Sequence, residues 1–240
     1  MDTTSVSFNR NPLITGKTIE APDESLVKQT LGLWNVSVED ALKYGGELTR
    51  AAIGAMNLRN DRKYIVVDSK VHMLMEGFYP AIPGWHTDGV PRGVERDPGG
   101  KGLPNIFAQD EPGDLRPPRY HLLVTGSGCL TEFITTREVD LEIPDFPTIN
   151  LYRLIHQQLE AMLEQRVKET YKREDFVSQY SNQVVEFDWW DLHRGIAATK
   201  KEWRFLIRVA ETDYIQPQTD LRTAIRTQSN VYVEAGNYGW

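Results

Sequence analysis

The residues with the clearest chemical potential lie in Pro83-Gly84-Trp85-His86-Thr87-Asp88-Gly89. In an extended backbone, residues two apart point to the same side. His86 and Asp88 therefore present an imidazole nitrogen and a carboxylate oxygen to one point, and Gly84 and Gly89 let the chain bend sharply at either end. Two such ligands hold a divalent metal weakly, so a third is needed. His193 is the candidate, in Asp188-Trp189-Trp190-Asp191-Leu192-His193-Arg194-Gly195, directly before a strongly β-patterned stretch. Two histidines and one carboxylate on one face of a metal, with the other positions open, form the ligand set of non-haem Fe(II).

His-x-Asp alone is a weak signal, and a lone His near a strand end is more often structural. The odds rise with Trp203-Arg204-Phe205-Leu206-Ile207-Arg208-Val209. Alternation puts Phe205, Ile207 and Val209 on one packed apolar face and Arg204, Leu206 and Arg208 on the other. Two guanidinium groups facing the inside of a β-sandwich are costly unless an anion meets them. Arg is suited to gripping a carboxylate through two parallel hydrogen bonds. Arg208 has two equal readings, an anionic group of a substrate or an internal acid. Asp191 is either an acceptor that orients His193 or a surface carboxylate. Trp85, Trp189 and Trp190 wall a pocket or, as aromatic residues near a core usually do, belong to the core. His72, His121 and His156 read as structural.

The order His86-Thr87-Asp88, then His193, then Arg204 resembles the Fe(II)/2-oxoglutarate-dependent dioxygenases over roughly residues 65–210. The resemblance implies a double-stranded β-helix whose triad His86, Asp88 and His193 binds Fe(II). It also implies that Arg204 grips the far carboxylate of 2-oxoglutarate and that O₂ is the second cosubstrate. Gly126-Ser127-Gly128-Cys129-Leu130-Thr131-Glu132-Phe133 is similar to the family's Gly-Gly-x-Thr-x-Phe segment, which implies a cosubstrate contact for Thr131, although the adjacent glycine pair is missing here. The spacing to Arg204, with Arg208 four further on, looks more like the taurine-dioxygenase and phytanoyl-CoA-hydroxylase branches than the collagen-type prolyl hydroxylases. Retention of Asp88 favours hydroxylation over halogenation. Two other readings stay open: a metal-binding β-sandwich enzyme that does not use 2-oxoglutarate, and a non-catalytic binding module.

The elements that must position these residues follow from local pattern. Residues 1–30 are polar, without sustained periodicity, and read as an arm on the surface. Ser37 reads as a helix N-cap before Ala41, Leu42, Leu48, Ala51, Ala52, Ala55 and Met56, split by Gly45-Gly46 into two short helices. Tyr64–Val67 and Val71–Met75 read as two strands. Residues 89–118 are dense in Pro and Gly; starting at the metal motif they read as a lid, with a plain surface loop or disordered insertion as the alternative. Tyr120–Val124 and Leu130–Thr135 read as strands of a hairpin through Thr125-Gly126-Ser127-Gly128-Cys129, with a third strand at Val139–Ile143. A helix is expected over 147–168, from the stripe Leu151, Leu154, Ile155, Leu159, Met162, Leu163 and Val167. Strands Val184–Asp188 and Arg204–Val209 flank the loop carrying His193, and Val231-Tyr232-Val233 can add an edge strand.

The fold expected is mainly β with α (α+β): a double-stranded β-helix, jelly roll or cupin-like, buttressed by N-terminal helices and one inserted helix. A single domain, 1–240, divides into an arm with helices (1–62), the core (63–212) and a tail (213–240). A net charge of −7 argues against a general nucleic-acid or anionic-membrane binder, and the resemblance implies a small-molecule substrate. Cys129 is the sole cysteine, so neither an internal disulfide nor a cysteine-built zinc site is possible within the chain. The start lacks a basic region followed by an apolar run, and no apolar stretch nears the roughly 20 residues of a membrane helix, so a cytoplasmic protein is expected.

Overall fold

The computed structural model describes residues 3–81, 83–89, 116–144, 151–169, 172–226 and 232–233. In chain order it has β1 (Thr3–Phe8), β2 (Ile14–Thr18), α1 (Glu24–Gln29), β3 (Gly32–Ser37), α2 (Val38–Tyr44), α3 (Gly46–Ala55), β4 (Tyr64–Leu74) and β5 (Phe78–Tyr79). After residues 90–115, which lie outside the described set and contain most of the expected lid, come β6 (Arg119–Val124), β7 (Thr131–Ile134), β8 (Val139–Pro144) and α4 (Leu151–Lys168). A short 3₁₀ turn at Arg173–Asp175 leads to β9 (Val177–Gln179), β10 (Gln183–Asp188), β11 (His193–Gly195) and β12 (Glu202–Thr212). The chain continues through α5 (Leu221–Ala224) and β13 (Ile225–Arg226) to β14 (Tyr232–Val233).

All strand pairs are antiparallel. A seven-stranded sheet runs β13-β3-β4-β12-β6-β10-β2, a three-stranded sheet runs β11-β7-β9, and β1-β8 and β14-β5 form two-stranded ribbons. The pairing is nested. Strand β4 pairs with β12 along its whole length, His86 bridges His193, β6 pairs with β10, and β7 pairs with β9. Successive members of the nest alternate between the large and the small sheet, so one long antiparallel ribbon is wound between two layers, as in a β-sandwich.

Two cores follow from alternation along the large sheet. Phe205, Ile207 and Val209 on β12, with Val67 and Val71 on β4, pack against Val27, Ala41, Leu48 and Ala52 of the first three helices. The opposite face carries Tyr120, Leu122 and Phe187 into a second core with Phe133, Trp85, Trp189 and Trp190, closed by Leu151, Ile155, Leu159 and Leu163 of α4. Burying such side chains contributes about 1.5–3 kcal/mol each, which makes these faces the main fixed points of the fold. The α4 stripe is as expected except that Val167 is exposed; residues 147–150 lie outside the described set.

Several expectations need correction. The arm is no loose surface segment: β1 pairs with β8, β2 pairs with β10, and Asp23 caps α1 by accepting from the Leu26 amide. Every side chain of β2 is exposed, so its backbone holds it, through the ladder with β10 and the Gln183 side-chain amide donating to the Gly16 carbonyl, and no hydrophobic pattern announces it. The two strands expected over 64–75 are one, because the polar Asp68-Ser69-Lys70 centre continues the ladder with β12. Strands β6 and β7 are not a hairpin. The turn between them carries the chain from the large sheet to the small one, with Gly126 at φ 88°. Ser37 does cap α2, accepting from the Asp40 amide at 3.1 Å, and the Gly45-Gly46 break separates two helices. Among the described residues no helix is long and apolar enough to cross a membrane.

Candidate metal centre and its cavity

His86 and Asp88 reach the site because their neighbours are tied down on the other side. Thr87 meets the Tyr152 hydroxyl at 3.0 Å, and the Trp85 indole donates to Glu160 at 2.7 Å, both on α4. Alternation then turns 86 and 88 away from the helix. Gly84 and Gly89 have φ of 121° and 86°, and a side chain at Gly89 would run into the Tyr120 hydroxyl. The motif is therefore a short extended piece between two bends, as the glycines suggested.

His193 lies on β11, and its backbone exchanges two 3.0 Å hydrogen bonds with that of His86. Its ring is wedged between Phe187 and Phe133, at centroid distances of 5.1 and 5.5 Å. The loop before it is held by Asn9, which is buried. The Asn9 side chain donates to the carbonyls of Ile134 and Thr136 and accepts from the Leu192 amide.

The ligand atoms of His86, Asp88 and His193 all lie within 4.8 Å of one another, so the three can hold a metal ion. His86 Nδ1 is 2.9 Å from the Gly84 carbonyl, and His193 Nδ1 is 2.9 Å from the Asp191 carbonyl. Backbone acceptors at Nδ1 commit the proton to that nitrogen and the lone pair to Nε2, the arrangement a metal requires. Asp191 thus orients His193 through its backbone, while its carboxylate accepts from the Asp188 amide.

Arg208 is placed between two carboxylates of the chain itself. Its Nη1 donates to Asp88 Oδ2 at 2.5 Å and its Nη2 to Asp68 Oδ2 at 3.1 Å. Asp68 in turn accepts from the Asn35 amide at 2.8 Å. Burial pushes the Asp88 carboxyl up, but Arg208 and the two imidazoles outweigh that and hold it well below the usual carboxylate range. The carboxylate stays ionised, as a metal ligand must.

Arg204 is buried, its Nε donating to the Cys129 carbonyl at 2.7 Å. Among the described residues its Nη1 is buried without a hydrogen-bond partner. Burial pushes its pKa down, with only partial relief from Cys129 and Glu202. A buried, unsatisfied donor on a cation is costly, and an entering anion would remove that cost.

His86, Asp88, Thr131, His193, Arg204 and Arg208 all line one cavity of about 590 Å³. The fragment containing Thr131 reaches it by crossing between sheets. None of the three tryptophans singled out in the sequence lines it; all are buried core. His72 and His121 are buried, the latter 3.1 Å from Glu211, and His156 lies 3.4 Å from the Trp85 amide. Sequence reading missed Asp68, Lys70 and Asn9. Charged residues two apart, Asp68 and Lys70, on one face of a strand flanked by Val66-Val67 and Val71 were the signal for the first pair. Asn9 carried none.

Comparison with models of protein families, with curated proteins and with solved structures returned no match to this chain.

Proposed function

We propose that this chain is a non-haem Fe(II) oxygenase that couples oxidative decarboxylation of 2-oxoglutarate to hydroxylation of a C–H bond in a small molecule. The observation that carries the reading is the meeting, in one cavity, of the His86–Asp88–His193 cluster and a buried Arg204 whose Nη1 lacks a partner among the described residues. The first suits a metal with open positions; the second suits the carboxylate of a metal-chelating keto acid. The nested strand pairing, wound between two sheets, supports a double-stranded β-helix.

The residues fit the groups they would hold. His86 and His193 offer Nε2, with tautomers set by backbone carbonyls, and Asp88 offers an ionised oxygen while Arg208 holds the carboxylate in place. Arg204 would pair with the distal carboxylate of 2-oxoglutarate, and Thr131 lines the same cavity. Bound iron and the keto acid supply activation of O₂. The chain's own contribution is placement and exclusion of water: Phe187, Leu206 and Ala210 give the cavity apolar wall beside the metal ligands. Unlike Arg208, Arg204 forms no ion pair with a carboxylate of the described residues; its Nε is held by the Cys129 carbonyl, which leaves the guanidinium charge open to an anion.

The test is conversion of 2-oxoglutarate to succinate by the Fe(II)-loaded protein in air. With ascorbate present as the reductant that closes the cycle, slow turnover without a further substrate, lost in Asp88→Ala, is expected. Metal binding with neither succinate formation nor 2-oxoglutarate binding would refute the assignment.

A further inference from the structure

The cavity holds one more charged group than the proposed chemistry uses. Lys70, on β4, lies opposite Leu206 in the β12 ladder, between the positions of Arg204 and Arg208. Alternation puts it on the face of Asp68, and it lines the same cavity as the metal cluster. It is exposed to solvent, and among the described residues its ammonium makes no hydrogen bond or ion pair. Protein around it, then Arg204 and Arg208, push its pKa down, against smaller opposing pulls from Asp68 and Asp88.

Charge bookkeeping shows what Lys70 is available for. Among the described residues three cations line the cavity, Lys70, Arg204 and Arg208, with two carboxylates, Asp68 and Asp88. Arg208 is committed to both carboxylates. On the function proposed above, on which this inference rests, the two charges of Fe(II) offset those of 2-oxoglutarate, with Arg204 on the latter's distal end. One positive charge remains uncompensated, and it sits on Lys70. Leu33, Trp34, Val66 and Ile215 give this side of the cavity apolar surface beside Asn35 and Ser69, and Trp34 is 44% exposed. That part of the recess suits a hydrocarbon body rather than a sugar or a nucleotide.

We infer that Lys70 is a specificity-determining residue that binds a carboxylate of the substrate, so that the substrate class is an apolar small molecule carrying one anionic group. The lysine would meet one end of the molecule while Trp34 and Ile215 cover its apolar part.

The experiment uses the full chain loaded with Mn(II) as an oxygen-inert stand-in for iron, together with 2-oxoglutarate. Ligand-observed NMR is run with a panel of aryl and alkyl monocarboxylates and their matched primary amides. Carboxylates are expected to bind, and their amides not. Lys70→Met should weaken carboxylate binding at least about tenfold, the size of a lost charge-assisted hydrogen bond, with Lys70→Arg keeping the preference. The 2-oxoglutarate Kd, measured in parallel by calorimetry, should be unchanged in Lys70→Met. Equal binding of acids and amides, no bound carboxylate, or carboxylate binding indifferent to Lys70→Met would overturn the inference. A weakened 2-oxoglutarate Kd in Lys70→Met would also overturn it, by assigning the lysine to the cosubstrate. If wild type fails to bind 2-oxoglutarate at all, the oxygenase reading fails in an arm separate from the panel.

Discussion

Arg208 and Arg204 sit four residues apart on one face of one strand, yet the structure gives them different work. Arg208 is neutralised by two acids and orients one of the metal ligands, whereas Arg204 is buried and pairs with no carboxylate among the described residues. Arg208→Ala should therefore weaken metal binding about 10–100-fold, the usual cost of losing a partner that orients a ligand, with Arg208→Lys recovering part of it. Metal titration calorimetry checks this, and unchanged affinity would mean that Asp88 needs no support. Arg204→Met should leave metal affinity intact. Because it removes a buried, poorly satisfied cation, it should change the stability of the unliganded protein by no more than about 1 kcal/mol, or raise it. A loss of 3 kcal/mol or more on that scale would mark Arg204 as structural. At this scale the sequence was informative. His-x-Asp, the distal His and the alternation on β12 come from strict two-residue periodicity, which survives folding unchanged. Asp68 and Lys70 were missed because their polarity reads as a strand break until the cavity they face is known.

At the scale of elements, placement depends on turns and edges more than on strands. The β6–β7 turn decides whether Thr131 reaches the cavity, and Gly126 is its constrained point. At φ 88°, a Cβ there would also lie 2.7 Å from Glu202 Oε2, which accepts from the Ser127 and Gly128 amides. Gly126→Ala should cost about 1–3 kcal/mol in denaturant unfolding, the range for a non-glycine residue forced into this region. A cost below 0.5 kcal/mol would mean that the turn relaxes easily. The α4 face is the other support. Leu159 is fully buried, so Leu159→Ala should cost about 2–5 kcal/mol by the same measurement. The helix was legible because its stripe repeats over several turns. The β6–β7 crossing was not, since a Gly-rich turn between two β-patterned runs looks the same whether the chain returns to its own sheet or enters another. Strand β2 is held by backbone bonds that leave no mark on side-chain type.

For the whole molecule, a charged hub at the end of β12 sets the response to acid. Glu211 is buried and is met by His121, Arg119 and the amides of Asn60 and Arg59. Burial pushes its carboxyl up, but those hydrogen bonds bring it from 4.5 to about 2. A depressed carboxyl stabilises the fold above its unfolded pKa, and that contribution is lost as pH falls from 4.5 toward 2. Glu211→Gln should cost about 3 kcal/mol near neutral pH, because it leaves Arg119 and His121 short of their shared acceptor. Its melting temperature should also fall less steeply over the acid range than that of wild type. Equal slopes would show that Glu211 does not govern acid unfolding. The antiparallel layering was visible from short strands and turn signals, whereas the nested order of pairing required the structure, because register and partner are set by contacts between residues far apart in sequence.

The central claim is that one cavity binds Fe(II) and 2-oxoglutarate together. The most direct measurement is an anaerobic Fe(II) titration with and without 2-oxoglutarate, following the visible absorption of a keto acid chelated to iron, in wild type, His193→Ala and Arg204→Ala. The account predicts the band in wild type, no band without His193, and a band that needs more 2-oxoglutarate without Arg204. Iron binding by wild type with no band at any 2-oxoglutarate concentration would contradict it.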